Sequence, residues 1–175
     1  MADKLIIREV REEDAARLAE IYAPYVRNTA ISFEYEPPTS AEFVRRIRLI
    51  KEKYPYLVCE KDGVIVGYAY LSAYSSREAY AWTATTSIYI DTDCRRQGIG
   101  SLLYRELEAK AREKGIVNLL AGVAYCEAED EYLTHDSYKF HLQKGYEKVA
   151  HMKAVGKKFG RWYDLLWQQK RLCDV

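Results

Sequence analysis

A strand followed, after a short polar loop, by a glycine-started helix is the feature that most restricts the fold of this chain. The segment YAWTATTSIYI is rich in aromatic and β-branched residues, which favours a strand, and GIGSLLYRELEAKAREK has the apolar spacing of a helix. Gly98 and Gly100 open that helix, where unpaired backbone N–H groups meet the positive end of the dipole and glycine admits a bulky anion. The pattern predicts a phosphate or pyrophosphate site of main-chain amides, with further donors from Arg95, Arg96 and Gln97.

Two common phosphate-binding motifs do not match these residues. A P-loop requires Gly-Lys-Ser/Thr, whereas Gly100 is followed by Ser101 and Leu102. A Rossmann fingerprint requires three glycines directly after its strand, whereas Leu103 occupies the third position and DTDCRRQ separates the strand from the glycines. The motif therefore indicates a different class of phosphate-bearing ligand.

The composition restricts the class of protein. A chain of 175 residues that is 49% hydrophobic and 30% charged fits one globular domain, 1–175. The net charge of +1 argues against a nucleic-acid or membrane partner, and no apolar run is long enough for a membrane span. MADKLIIREV does not read as an export signal, and four cysteines without CxxC spacing argue against zinc and disulfides. We expect a cytoplasmic protein without a metal.

The hydrophobic periodicity predicts the order β-α-α-β-β-β-α-β-α-β-β, a mixed α/β domain. Thr39 and Glu42 form a capping-box signature before the second helix. Asp62 and Gly63 predict a hairpin turn between two strands. The near-continuous apolar run VNLLAGVA predicts a buried central strand.

Arg95-x-x-Gly98-x-Gly100 on a strand–loop–helix resembles the acetyl-CoA motif of the GNAT acetyltransferase superfamily. AISFEYEPPT, SYKFHLQKGYEKVAHM and VGKKFGRWYDLLWQQKRL extend the resemblance to the phosphinothricin N-acetyltransferase branch over nearly the whole chain. The resemblance implies a mostly antiparallel, splayed sheet with helices on both faces, in the α/β (α+β) class. It also implies a homodimer.

The same resemblance implies where acetyl-CoA binds. The pantetheine arm is expected between the strand that ends at Ile90 and NLLAGVA, with the pyrophosphate on the amides from Arg95 to Ser101. Thr134 occupies the position of a family asparagine that contacts CoA. The expected contacts on the strand and loop are Ile88, Tyr89, Ile90, Arg95, Arg96, Gln97, Gly98, Ile99, Gly100 and Ser101.

The catalytic pattern departs from the branch at one position. The glutamate that serves the branch as a base corresponds to Thr85, and a threonine hydroxyl cannot accept an amine proton at neutral pH. Ser137 and His141 match family positions, and His141 is the candidate proton donor to the leaving thiolate unless it merely packs on a helix face. The base stays unassigned: carboxylates are available at Glu34, Glu36, Glu127, Glu129, Asp130 and Glu131.

Four residues match the acceptor pocket of the branch, although surface or interface packing would also explain them. They are Phe33, Arg77, Trp82 and Lys158, and Arg77 and Lys158 could hold a substrate carboxylate. The expected activity is N-acetyl transfer from acetyl-CoA to a small amino-acid-like amine of the phosphinothricin or methionine-sulfone type. The alternative that Thr85 leaves open is a CoA-binding sensor or interaction module without transfer activity.

Overall fold

The computed structural model describes residues 4–173 and has the element order that the sequence predicts. Within residues 4–173 there are seven strands and four α-helices, and short 3₁₀ turns lie at 12–14, 78–80 and 92–94. The elements are β1 (Leu5–Glu9), α1 (Ala15–Asn28), α2 (Ser40–Lys51), β2 (Tyr56–Lys61), β3 (Val64–Ala73), β4 (Thr83–Ile90), α3 (Ile99–Glu113), β5 (Asn118–Tyr125), α4 (Asp136–Gln143), β6 (Glu147–Lys158) and β7 (Arg161–Arg171).

The strands form one sheet in the order β1-β2-β3-β4-β5-β7-β6. Every neighbouring pair is antiparallel except β4 and β5, which run parallel and are connected through α3. A parallel pair needs a long crossover, and the strand–loop–helix segment supplies it. The predicted mixed, mostly antiparallel sheet is confirmed.

The helices cover both faces of the sheet, as predicted. On one face α1 and α2 pack against alternate strand residues such as Tyr56, Tyr68 and Tyr89. On the other face α3 packs against the intervening residues, for example Leu57 and Ala69. The two-residue alternation of strand side chains therefore divides the core into two layers.

Local signals in the sequence account for several boundaries. The Thr39 hydroxyl accepts a hydrogen bond from the Glu42 amide at 3.2 Å, which confirms the predicted cap of α2. Asp62 and Gly63 have φ angles of 50° and 84°, so both central turn residues adopt the left-handed conformation of a tight hairpin. β5 lies inside the sheet between β4 and β7, as its apolar run predicts.

Two further expectations concern membranes and metals. None of the helices described between residues 4 and 173 combines the length and apolar character that crossing a bilayer requires. Within the same range, no three His, Cys, Asp or Glu side chains are grouped so that they could hold a metal ion.

Candidate functional site

The sheet opens between β4 and β5. These strands pair only from Thr83 opposite Asn118 to Thr85 opposite Leu120, and the ladder stops there although both strands continue. The Trp82 carbonyl accepts hydrogen bonds from the β5 side, and the Asp91 amide donates to β3. Along a strand, the main-chain N–H and C=O groups of successive residues point alternately to the two neighbouring strands. The main-chain groups of residues 86, 88 and 90 therefore point into the opening. An extended ligand with amide groups could complete this interrupted ladder.

A cleft occupies this opening and extends between α3 and α4. Its walls include residues 86–89 of β4, residues 121–124 of β5, Tyr104 of α3, and Ser137 and His141 of α4. Thr86 Oγ1 is buried here beside the hydroxyls of Tyr104 and Tyr146, which are its polar neighbours in the described part of the chain. The base of the cleft therefore carries a cluster of buried hydroxyls.

The N-terminus of α3 lies at the end of β4 that borders the opening. Gly98 caps the helix in the left-handed conformation, with φ +81°, and no side chain caps it. The first hydrogen bond within the helix joins the Leu102 amide to the Gly98 carbonyl at 3.1 Å, so the preceding amides of residues 99–101 point away from the helix as donors. Such an end favours an anion.

Gly100 shows why the second glycine is needed. A Cβ at this position would lie 3.1 Å from Cε2 of Phe140 and 3.6 Å from Cδ1 of Ile88. The missing side chain lets α3 pack closely on α4 and β4 beside the cleft. The free amides and the interrupted ladder together fit a ligand that has a diphosphate and an extended amide chain.

The side chains before the helix have separate roles. Arg95 lies with its guanidinium carbon 5.0 Å from the centre of the Tyr25 ring, and the Tyr25 hydroxyl donates to the Ile90 carbonyl at 2.5 Å. Gln97 accepts a hydrogen bond from Lys61 at 3.0 Å. Arg96 is largely exposed, with a φ of 60°, and lies 3.5 Å from the Asp136 carboxylate at the start of α4. Arg96 is therefore the side chain of this group best exposed to an anion from solvent.

His141 lies inside the cleft wall with both ring nitrogens hydrogen-bonded. Nδ1 lies 2.7 Å from the Ser137 carbonyl, and Nε2 lies 2.8 Å from the Tyr104 hydroxyl. Burial lowers the pKa of His141, so the ring is neutral at pH 7. Because a carbonyl only accepts, Nδ1 carries the proton and Nε2 accepts from the Tyr104 O–H. The Tyr104 proton is therefore directed at His141, and both residues line the cleft.

Thr85 and Ser87 lie on the opposite face of the sheet from His141. Side chains at odd positions of β4 face α1 and α2, as the packing of Tyr89 in that layer shows. A groove on this face is continuous with the cleft, since Ile31, Tyr89, Gly122 and Ala124 line both. The opening in the sheet therefore joins a cleft on one face to a groove on the other.

Glu34 is the charged residue that lines the groove. Burial by itself would raise the pKa of its carboxyl, but hydrogen bonds from Arg46, at 2.6 Å, and from Tyr22 outweigh burial and lower it. The carboxylate stays ionised at neutral pH, which makes it a weak base and a favourable neighbour for a cation.

Lys158 requires a correction, because its ammonium group has partners inside the chain. The residue is 4% exposed, and Nζ donates to the carbonyls of Val26, Thr29 and Ser32 at 2.6, 2.8 and 2.7 Å. An ammonium group has three hydrogens, and all three are used. The predicted role of Lys158 as a ligand for a substrate carboxylate does not fit this arrangement.

The four predicted acceptor residues are not brought together within one chain. Phe33 lines the groove, with 36% of its surface exposed. Trp82 lies on the other face, where its ring is 4.0 Å from the Cβ position of Gly115 just after α3. Arg77 is exposed in the turn before β4. Phe33 alone of the four lines the groove of its own chain.

The remaining candidate residues lie near α4. The exposed Thr134 accepts a hydrogen bond from the Asp136 amide at 3.4 Å and so helps to start this helix. In the acidic loop, Asp130 is bound by the amides of Tyr132 and Leu133 and by the Tyr163 hydroxyl. Asp130 is therefore a structural anchor of its loop.

Tyr104 and Thr86 line the cleft but were not among the residues predicted from the sequence. Tyr104 lies on the predicted apolar face of α3, next to Leu103, and a hydroxyl among buried aliphatic residues is the signal that could have identified it. Thr86 carried no comparable signal, because its importance depends on which segments lie against it.

Comparison with known proteins assigns this architecture to a family. Residues 7–167 match the model of the acetyltransferase (GNAT) domain. A phosphinothricin N-acetyltransferase of Alcaligenes faecalis is 36% identical over 95% of this chain and 82% of its own length. An L-methionine sulfoximine/L-methionine sulfone acetyltransferase of Salmonella typhimurium is 30% identical over 97% of this chain and 96% of its own length.

Solved structures agree with the sequence relatives. The crystal structure of a GNAT superfamily phosphinothricin acetyltransferase from Sinorhizobium meliloti, in complex with acetyl-CoA, superimposes with a TM-score of 0.86. It is 32% identical, and the match covers 98% of this chain and 89% of that chain. The chain described here belongs to the GNAT acetyltransferase family.

Proposed function

We propose that this protein transfers the acetyl group of acetyl-CoA to the amine of a small amino-acid-like substrate of the phosphinothricin or methionine-sulfone type. The observation that carries the proposal is the joint placement of the free α3 N-terminus and the interrupted β4–β5 ladder at one cleft. The relatives support the class of acceptor, since curated proteins 30–36% identical to this chain are named for phosphinothricin and for methionine sulfoximine or sulfone.

The residues of the cleft have distinct roles in this proposal. The amides of residues 99–101 bind the diphosphate, with Arg95, Arg96 and Gln97 around them and Thr134 near the start of α4. The main-chain groups of Ile88 and Ile90 pair with the amides of the pantetheine arm, while Tyr89 packs below them. Bound acetyl-CoA supplies the acetyl group in an activated thioester, and the main-chain N–H groups of β4 in the opening can donate to its carbonyl oxygen.

Proton handling divides between the two faces of the sheet. On the cleft face the Tyr104 hydroxyl donates its single proton to His141, which the Ser137 carbonyl holds in place. Tyr104 can donate a hydrogen bond to a thiolate when this proton turns from His141 Nε2 toward the cleft. On the groove face Thr85 supplies no base, so the amine loses its proton to water before it attacks. The rate should therefore favour acceptors whose amine has a low pKa.

The wider organisation is part of the proposal. Residues 1–175 form one catalytic domain, which the single seven-stranded sheet supports. The protein acts in the cytoplasm as a homodimer without a nucleic-acid or membrane partner. The cysteines Cys59, Cys94, Cys126 and Cys173 are free thiols, which agrees with a reducing compartment. The exposed Trp162 side chain agrees with an interface between the two chains of the dimer.

A thiol-release assay with acetyl-CoA and a panel of amino acids and their analogues tests the activity. We expect release that depends on the amine and is highest for phosphinothricin-like or sulfone-like acceptors, measured against a control without amine. Tight CoA binding in calorimetry, combined with no amine-dependent release across the panel, would instead support a CoA-binding sensor. The acetyltransferase relatives make that alternative the less favoured one.

A further inference from the structure

β6 is the outer strand of the sheet next to β7, and most of its side chains are exposed. Two positions near its end are buried, Gly156 and Lys158. Both face the loop that follows α1, since Lys158 binds carbonyls between residues 26 and 32 and Gly156 lies under the Phe33 ring. Burial along β6 therefore coincides with contact to this one loop.

The three bonds of Lys158 span the end of α1 and the start of the loop. Val26 belongs to the last turn of α1, Thr29 follows the helix, and Ser32 lies in the loop. The last carbonyls of a helix have no partner within it and carry partial negative charge, so an ammonium group is well matched to them. Lys158 thereby ties the path of the loop to β6.

Gly156 acts through the absence of a side chain, whereas Lys158 acts through its ammonium group. A Cβ on Gly156 would lie 2.3 Å from Cε2 of Phe33 and 2.6 Å from its Cζ, which is closer than atoms can approach. The ring rests directly on the β6 backbone, so any larger residue at 156 would displace it. The two contacts are independent, because one acts on the loop backbone and the other on a loop side chain.

The same loop forms one wall of the acceptor groove. Ile31 lines both the groove and the cleft, and Ser32, Phe33 and Glu34 line the groove. We propose that Gly156 and Lys158 form a seat that holds this loop in place, and that they are positioning residues for binding of the acceptor amine. The inference rests on the proposed function, and it takes the groove, which is continuous with the cleft, as the site of the acceptor amine.

Steady-state kinetics of Lys158→Met and Gly156→Ala, with the amine and acetyl-CoA varied separately, test the seat. We expect the KM for the amine to rise about tenfold, because misplacement by about 1 Å in a site can cost up to about a hundredfold. The KM for acetyl-CoA should stay within about twofold of its value in the unsubstituted protein. Lys148→Met removes a charge from an exposed position of the same strand and should leave both constants unchanged.

Phe33→Ala in the Gly156→Ala background completes a double-mutant cycle. If Gly156→Ala acts by displacing the Phe33 ring, Phe33→Ala should raise the KM for the amine little beyond the effect of Gly156→Ala alone. If the two sites were independent, the two effects on this KM would add in full, which would contradict the displacement of the ring. Gly156→Ala leaves the Lys158 bonds in place, so the seat can still be tested if Lys158→Met does not fold.

Hydrogen exchange of the amides in residues 29–34 gives a readout that does not need activity. We expect faster exchange in Lys158→Met than in Lys148→Met and the unsubstituted protein. Unchanged exchange of these amides in Lys158→Met, or an equal rise of the KM values for the amine and for acetyl-CoA, would contradict the proposed seat. If the unsubstituted protein acetylates no amine, the proposed function fails while the exchange experiment still decides whether the loop is held.

Discussion

Among single residues, His141 illustrates how burial sets a protonation state and with it a role. The sequence position suggests a proton donor, but the ring is 4% exposed, its Nδ1 proton goes to the Ser137 carbonyl, and Nε2 accepts from Tyr104. A buried neutral imidazole orients its neighbour rather than supplying a proton itself. Tyr104 is thus the side chain to test for thiolate stabilisation.

The lowered pKa of His141 predicts how stability depends on pH. The unfolded chain takes up a proton near pH 6.5, whereas the folded chain resists it until the pH is lower. The free energy of unfolding should therefore fall as the pH drops below about 6.5. In His141→Gln this part of the pH dependence should be absent, because glutamine does not take up a proton. Urea unfolding between pH 5 and 8 measures this, and parallel pH curves for both proteins would contradict it.

Replacing Thr85 with glutamate should raise the rate of acetyl transfer. Thr85→Glu would place a carboxylate on the groove face of β4, and a positioned base typically contributes at least about a hundredfold. We expect a higher kcat/KM for amines at pH 7 and a rate profile shifted to lower pH. Thr85→Val is the matched control and should change kcat/KM by no more than about twofold. A large loss in Thr85→Val would show that the hydroxyl takes part in catalysis.

At the scale of elements, the start of α3 combines three requirements in one short segment. The helix must begin without a capping side chain, its first amides must face the β4–β5 opening, and α4 must pack against Gly100. Gly98 meets the first requirement because φ +81° is costly for any residue with a Cβ. The way in which α3 starts is therefore what fits it to the proposed binding of an anion.

Gly98→Ala tests this element. A Cβ at Gly98 would meet nothing within 4 Å, so the substitution adds backbone strain of about 1 kcal/mol and no clash. The strain should turn the first amides and raise the KM for acetyl-CoA several-fold. Gly160→Ala is the control, since Gly160 has a φ of 72° and equally open space in the turn between β6 and β7. An equal effect of both substitutions on the acetyl-CoA KM would reject the assignment.

At the scale of the whole molecule, the sheet carries both its site and its candidate interface. The opening between β4 and β5 connects a cleft on one face to a groove on the other, so the two substrates can approach from opposite sides. β6 and β7 lie at one end of the sheet and carry exposed apolar side chains at Val149, Met152, Val155 and Trp162. Such exposure is typical of a protein–protein contact.

The proposed homodimer predicts a mass of twice the 20.4 kDa chain in sedimentation equilibrium. Trp162→Glu should shift this equilibrium toward the monomer, because a charge would replace an indole that is 61% exposed in the single chain. Leu49→Glu, at an exposed position of α2, is the control and should leave the mass unchanged. A monomer for the unsubstituted protein at micromolar concentration would refute the dimer.

The order of elements and the glycine-started α3 were readable from the sequence, because both depend on local chemistry. Apolar periodicity, the Thr39 cap, the Asp62-Gly63 turn and the pair Gly98 and Gly100 each act within a few residues of chain. The resemblance to a known branch added the opening between two strands, which the pairing of β4 with β5 confirms.

The sequence by itself thus determined the mixed sheet, its order of helices and strands, and the glycine-started helix whose first amides no side chain caps. Only the tertiary structure decided the partners of Lys158, the Tyr104–His141 pair and the face on which Trp82 lies. The physical reason is separation along the chain: Lys158 binds a carbonyl 132 residues away, and no local pattern encodes which distant carbonyl will satisfy a buried charge.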